Sequence, residues 1–133
     1  MTTERKIVVI DSEIPFIQGL FEPYADVRYL RRNEINRRAL EDADGVIIRT
    51  GTRCTPALLE GTKVSFIGTA TVGTDHIDMG YCARSGITVA SAAGCNAFAV
   101  AQYVLCALLS IASKQGKKLK SMTMGIIGVG NIG

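Results

Sequence analysis

The residues best suited to chemistry fall in a few short runs. GVGNIG at 128–133 has the form G-x-G-x-x-G and is reached from an apolar stretch, 122–127. Gly128 suits a tight turn, Gly130 lets the backbone approach a pyrophosphate, and Gly133 permits close helix–strand packing. A helix opening there would aim its N–H groups at phosphate oxygens. Asn131 and Ile132 are the turn residues between the glycines. The pattern is weak by itself, because the helix and the acidic residue about 20 positions on that would complete it lie beyond Gly133. A glycine-rich turn without a ligand is the alternative.

GTATVGTD at 68–75 is a second candidate. Its small side chains leave backbone N–H groups open to a carboxylate or phosphate, and Thr69, Thr71 and Thr74 add hydroxyl donors. A turn whose threonines cap the next helix fits these residues equally well. Arg49-Thr50 ends an apolar run. Its guanidinium could hold a carboxylate or phosphate through a planar fork, or form an ion pair. His76, between Asp75 and Asp78, is a titratable group, but a histidine at a helix start beside carboxylates reads as a structural hydrogen-bonding residue.

Composition narrows the partners. The chain has 133 residues, 47% of them hydrophobic, enough for one domain with a real core. Fifteen basic residues against 12 acidic give a formal charge of +3, too mild for nucleic-acid binding. Arg28, Arg31, Arg32, Arg37 and Arg38 cluster in a short polar segment that reads as a solvated helix face. Cys54, Cys82, Cys95 and Cys106 form no C-x-x-C pair and there is one histidine, which argues against a zinc site. The thiols read as reduced and mostly buried, and a start without a sustained apolar stretch suggests a cytoplasmic protein. Residues 97–113 fall short of the roughly 20 predominantly apolar residues of a membrane span. They read as a buried helix, apolar nearly all round.

The elements that must position these residues alternate. Strands are expected at 5–10, 26–30, 45–49, 63–68, 87–91 and 122–127. Helices are expected at 13–22 with Pro15 in its first turn, near 34–41, from Thr55-Pro56 to about 60, at 76–84 ending at Gly86, and from Asn96 to Gly116. This is an α/β pattern: a doubly wound parallel sheet with helices on both faces. Ligands in such folds sit beyond the carboxyl ends of the strands, here DSE, RTGT, TATVGT and AAGCN. The lysine-rich segment 114–120 reads as a connector to a second domain beginning near Ser121.

Three longer runs, FIGTATVGTDHID (66–78), AAGCNAFAVAQYV (92–104) and GIIGVGNIG (125–133), together with VVIDSEIPF (8–16) and VIIRTGTRCTPALL (46–59), carry a resemblance over essentially the whole chain. It resembles the D-isomer-specific 2-hydroxyacid dehydrogenases, and within them members acting on a phosphorylated 2-hydroxy acid. The resemblance implies a flavodoxin-like substrate domain over 1–95, an interdomain helix and connector over 96–120, and at 121–133 the first strand and turn of a Rossmann NAD domain. It implies that the chain is an incomplete amino-terminal piece. The base, orienting carboxylate and arginine clamp would then lie after Gly133, and His76 would not be the catalytic histidine. By the same resemblance Arg49, Thr50 and Thr71 face substrate, and Gly128, Gly130, Asn131, Ile132 and Gly133 face NAD. A cytoplasmic homodimer, with no nucleic acid, membrane or metal partner, is implied for the full-length protein. Thr50 stands where serine is usual, Ala93 where the family has proline, and Gln102 where it has glutamate. Another 2-hydroxy acid such as phosphoglycerate as substrate, or a nucleotide-sensing corepressor-like role, are the alternative readings.

Overall fold

The computed structural model describes residues 4–131, with nothing described for the Ser121 side chain. The chain divides into two compact units, Met1–Ala92 and Ala93–Gly133.

The first unit is built on five parallel strands: β1 (Lys6–Asp11), β2 (Ala25–Leu30), β3 (Gly45–Ile48), β4 (Phe66–Thr69) and β5 (Thr88–Ser91). Their order across the sheet is β2-β1-β3-β4-β5. This is the flavodoxin-like order, in which the winding reverses beside β1 and opens a crevice between the carboxyl ends of β1 and β3. All four strand pairs are parallel, as β-branched runs separated by helical segments demand. β4 begins three residues later than its apolar run, because its ladder starts only where Phe66 meets Gly45, the first residue of β3.

Three short helices connect the strands: α1 (Arg37–Leu40), α2 (Pro56–Leu59) and α3 (Met79–Arg84). The Asn36 side chain caps α1 by accepting from the Ala39 amide, and Asp78 caps α3 by accepting from that of Tyr81. Pro56 occupies the first turn of α2, where its missing N–H costs nothing. Gly86 follows α3 at φ +70°, the left-handed position a helix end favours. One buried face of the sheet contributes Val9, Val46, Ile48 and Ile67 to a core completed by Leu40, Leu59 and Cys82 from the three helices.

The other face departs from the expected pattern. No helix forms over 13–22. The segment between β1 and β2 runs through successive turns, closed by bonds such as the Ile14 amide to the Asp11 carbonyl, 3.1 Å, and the Tyr24 amide to the Phe21 carbonyl, 2.9 Å. Phe16 at φ +59° and Gly19 at φ +85° interrupt helical geometry, and neither Pro15 nor Pro23 has an amide to donate. Ile14, Ile17 and Phe21 from these turns cover Ile10 and Ile47, doing the work expected of a helix.

The second unit contains α4 (Ala97–Lys114), capped in position by Asn96 without a side-chain bond, and Gly116 beyond it at φ +65°. Its length and composition would allow a membrane crossing. The burial expected for α4 is absent: Phe98 is 82% exposed and Ala112 alone among its residues is buried. Most side chains of this apolar helix are exposed. An open apolar groove of about 760 Å³ lies between Val104 and Leu108 of α4 and Met124–Ile127. Residues 122–127 form no strand; the described ladders join only β1 to β5, and a strand needs a neighbour to pair with. The expectation that most thiols are buried holds for Cys54 and Cys82, whereas Cys95 and Cys106 are exposed; all four are free.

Candidate functional site

The candidate residues of the first unit gather at the carboxyl ends of β1, β3 and β4. β1 delivers Asp11, 1% exposed, as its last residue. β3 delivers Arg49 immediately after Ile48. The Arg49 guanidinium donates from Nε to Asp11 Oδ2 at 3.1 Å, and also pairs with Glu13. Asp11 Oδ1 accepts from the Glu13 amide at 3.0 Å. The arginine thus spans the β1–β3 crevice in an ion pair, the second of its two sequence readings. Hydrogen bonding to Asp11, above all, raises its pKa further above the ordinary arginine value.

Thr50 and Thr71 stand in matched places. Ile48 and Thr69 are registered partners in the β3–β4 ladder, and each threonine follows its partner residue by two positions. The Ala70 amide donates to the Ile48 carbonyl at 2.9 Å, which holds the two strand ends together. Thr50 is exposed and Thr71 half-buried.

Behind Thr71 stands a relay of side chains. Thr71 Oγ1 lies 2.8 Å from Thr69 Oγ1, and Thr69 Oγ1 lies 3.2 Å from His76 Nε2. Thr69 and His76 are both buried. Burial pushes the imidazole pKa below its ordinary value, against the opposing pull of the Asp75 carboxylate. His76 is therefore the structural hydrogen-bonding residue read from its neighbours. It also lines a cleft of about 210 Å³ with Thr50, Arg53, Gly73 and Asp75.

The loops after β3 and β4 are stitched by their backbones. The Cys54 amide donates to the His76 carbonyl at 2.9 Å and the Asp78 amide to the Cys54 carbonyl at 2.8 Å, a single parallel bridge between Cys54 and Ile77. This pairing has no sequence signal, because it joins two irregular loops. Burial pushes the Cys54 thiol up to about 12, so it packs as an inert apolar side chain. Thr52 is buried and its hydroxyl has no hydrogen-bond partner among the described residues. No group of three or more metal-ligating side chains occurs among the described residues.

In the second unit Gly128 adopts φ +87°, a geometry that a side chain would strain. A Cβ at Gly130 would meet nothing within 4 Å, so a ligand can approach that backbone. Asn131 is exposed and lines the groove beside α4. These features suit a pyrophosphate-binding turn. Ile132 and Gly133, the remaining residues expected to face the cofactor, lie outside the described residues.

The family model of the D-isomer specific 2-hydroxyacid dehydrogenase catalytic domain matches residues 6–127. The chain is 49% identical over 127 residues to an erythronate-4-phosphate dehydrogenase of Bacteroides fragilis, covering 95% of this chain and 36% of that protein. It is 45% identical over 126 residues to the same-named protein of Porphyromonas gingivalis, covering 95% and 34%. The chain therefore spans about a third of the length of these relatives. Among solved structures, an NAD+-bound 3-phosphoglycerate dehydrogenase of Entamoeba histolytica matches with TM-score 0.58 and 30% identity, over 83% of this chain and 39% of that one. A protein of Pyrococcus horikoshii matches with TM-score 0.65 and 21% identity over 86% and 38%, a likeness of fold. The sequence match along the strands and loops that carry Arg49, Thr50 and Thr71 places the chain in a family: it belongs to the D-isomer specific 2-hydroxyacid dehydrogenases.

Proposed function

We propose that this chain is the amino-terminal, substrate-binding part of a cytoplasmic, NAD-dependent dehydrogenase that oxidises 4-phospho-D-erythronate to its 2-oxo acid, a step of pyridoxal phosphate biosynthesis. The observation that carries the reading is the paired placement of Thr50 and Thr71 beyond registered strand ends, beside Arg49 in the crevice. Their hydroxyls bind the substrate's anionic groups. Arg49 is held from within by buried Asp11, while its other partner, Glu13, is 59% exposed. A substrate carboxylate displaces Glu13 and takes a fork already aimed at the crevice.

The backbone of Gly128, Gly130 and Asn131 holds the cofactor pyrophosphate. When bound, NAD supplies acceptance of the hydride leaving the carbinol carbon. The chain's own task is to place that carbon and exclude alternative poses. The substrate choice is supported by the names of the relatives at 45–49% identity.

The test is turnover by a protein that carries this chain together with the remaining length its relatives have. NAD reduction with 4-phosphoerythronate, at a kcat/KM well above that with 3-phosphoglycerate, is the expected result. Preference for 3-phosphoglycerate, or no turnover of either, would overturn it.

A further inference from the structure

We propose that His76 is a positioning residue that sets the direction of the His76–Thr69–Thr71 relay, so that the Thr71 hydroxyl donates outward to an anionic group of the substrate. The proposal rests on the reading of Thr71 as a substrate contact and supplies the buried groups behind it.

Each hydroxyl carries one proton and can donate once. The direction chosen at one end of the chain is therefore inherited at the other. Were Nε2 a bare acceptor, Thr69 would donate to it across the 3.2 Å contact and Thr71 would donate to Thr69 across 2.8 Å. Thr71 would then show only lone pairs to its surroundings, which repel a carboxylate or phosphate. With the proton on Nε2 the sequence reverses. The ring donates to Thr69, Thr69 donates to Thr71, and the Thr71 proton is free to point outward.

Burial favours the neutral ring, so the tautomer rather than the charge selects between the two directions. A charged ring would also donate from Nε2 and would not invert the relay. The charged groups sharing the cleft are Arg53 and Asp75. The ends of the relay differ in accessibility as the role demands: His76 and Thr69 are buried and Thr71 is half-buried.

His76 is the one histidine of the chain, so its ring nitrogens can be read without ambiguity. Long-range proton–nitrogen correlation on the 133-residue chain, at a pH where the ring is neutral, is expected to show the proton on Nε2. A ring protonated on Nδ1 with Nε2 bare would overturn the proposal. The second arm uses the protein carrying the remaining length of the relatives, with 4-phosphoerythronate as probe. A glutamine amide can donate from near the Nε2 position, so His76→Gln is expected to keep KM close to wild type. His76→Leu is expected to raise KM about tenfold or more with a smaller change in kcat. If Thr71→Val raises KM and His76→Leu does not, the relay is wrong and the Thr71 contact stands. If Thr71→Val leaves KM unchanged, the substrate contact itself is wrong.

Discussion

Arg49 Nε lies 3.1 Å from Asp11 Oδ2, joining the last residue of β1 to the first residue after β3. Asp11 is almost fully buried, whereas the other carboxylate on Arg49, that of Glu13, is largely in water. Removing one partner of a buried pair leaves the other group uncompensated, while an exposed pair contributes little. Asp11→Asn is therefore expected to lower the thermal midpoint by several degrees and Glu13→Gln to leave it nearly unchanged. Equal midpoints for the two variants in differential scanning fluorimetry would contradict this.

The buried His76 makes stability depend on pH. Its pKa is lowered in the folded chain from an unfolded value of 6.5, so the unfolded state binds the proton first. The contribution is complete above the unfolded value and is lost as pH falls through 6.5 and past the lower folded value. In urea titrations, His76→Gln is expected to flatten the slope of stability against pH between neutrality and mild acid. An unchanged slope would mean the ring titrates normally in the folded state.

Thr52 buries a hydroxyl with no partner among the described residues. An unpaired buried hydroxyl costs about 1–3 kcal/mol, and a methyl group of similar shape does not. Thr52→Val is expected to hold or raise unfolding free energy, by up to about 1 kcal/mol, in a chevron or equilibrium denaturation. A loss larger than that would reveal a bond to the hydroxyl.

Phe16 holds φ at +59° and is 96% exposed. The conformation is strained by about 1–2 kcal/mol for a residue with a Cβ, and the exposed ring gains no burial in return. Asparagine visits this region more readily, so Phe16→Asn is expected to stabilise the chain by up to about 1 kcal/mol. A destabilised variant would show that the ring makes a contact worth more than the strain.

Thr50→Ala and Thr71→Val each remove a hydroxyl assigned to the substrate. A hydrogen bond to a charged group is worth about 1.5–3 kcal/mol, so KM for 4-phosphoerythronate is expected to rise about tenfold or more in each, with KM for NAD little changed. The assignment fails for any variant whose substrate KM stays at the wild-type value.

Much of this molecule was readable along the chain. Apolar β-branched runs such as KIVVI and GVII read as strands, their alternation with helical segments argued for a parallel sheet, and five of the six expected strands appear close to their expected positions. Thr55-Pro56 announced a helix start and Gly86 a helix end, and Arg49, Thr50 and Thr71 were marked by their place after strands. These are local signals, set by side-chain shape and by which groups can cap a backbone. What they left open was decided by partners distant in sequence. The 13–22 segment had helical spacing, yet Phe16 and Gly19 took left-handed geometry and Ile14 and Phe21 met the sheet from turns instead. Residues 122–127 had strand composition but joined none of the described ladders, and a ladder exists only between two strands. The choice of Arg49 for Asp11, the Cys54–Ile77 bridge and the His76–Thr69–Thr71 relay likewise arose from the β2-β1-β3-β4-β5 order. Hydrogen bonds and ion pairs depend on distances of a few ångströms, and only the packed sheet brings those atoms within reach.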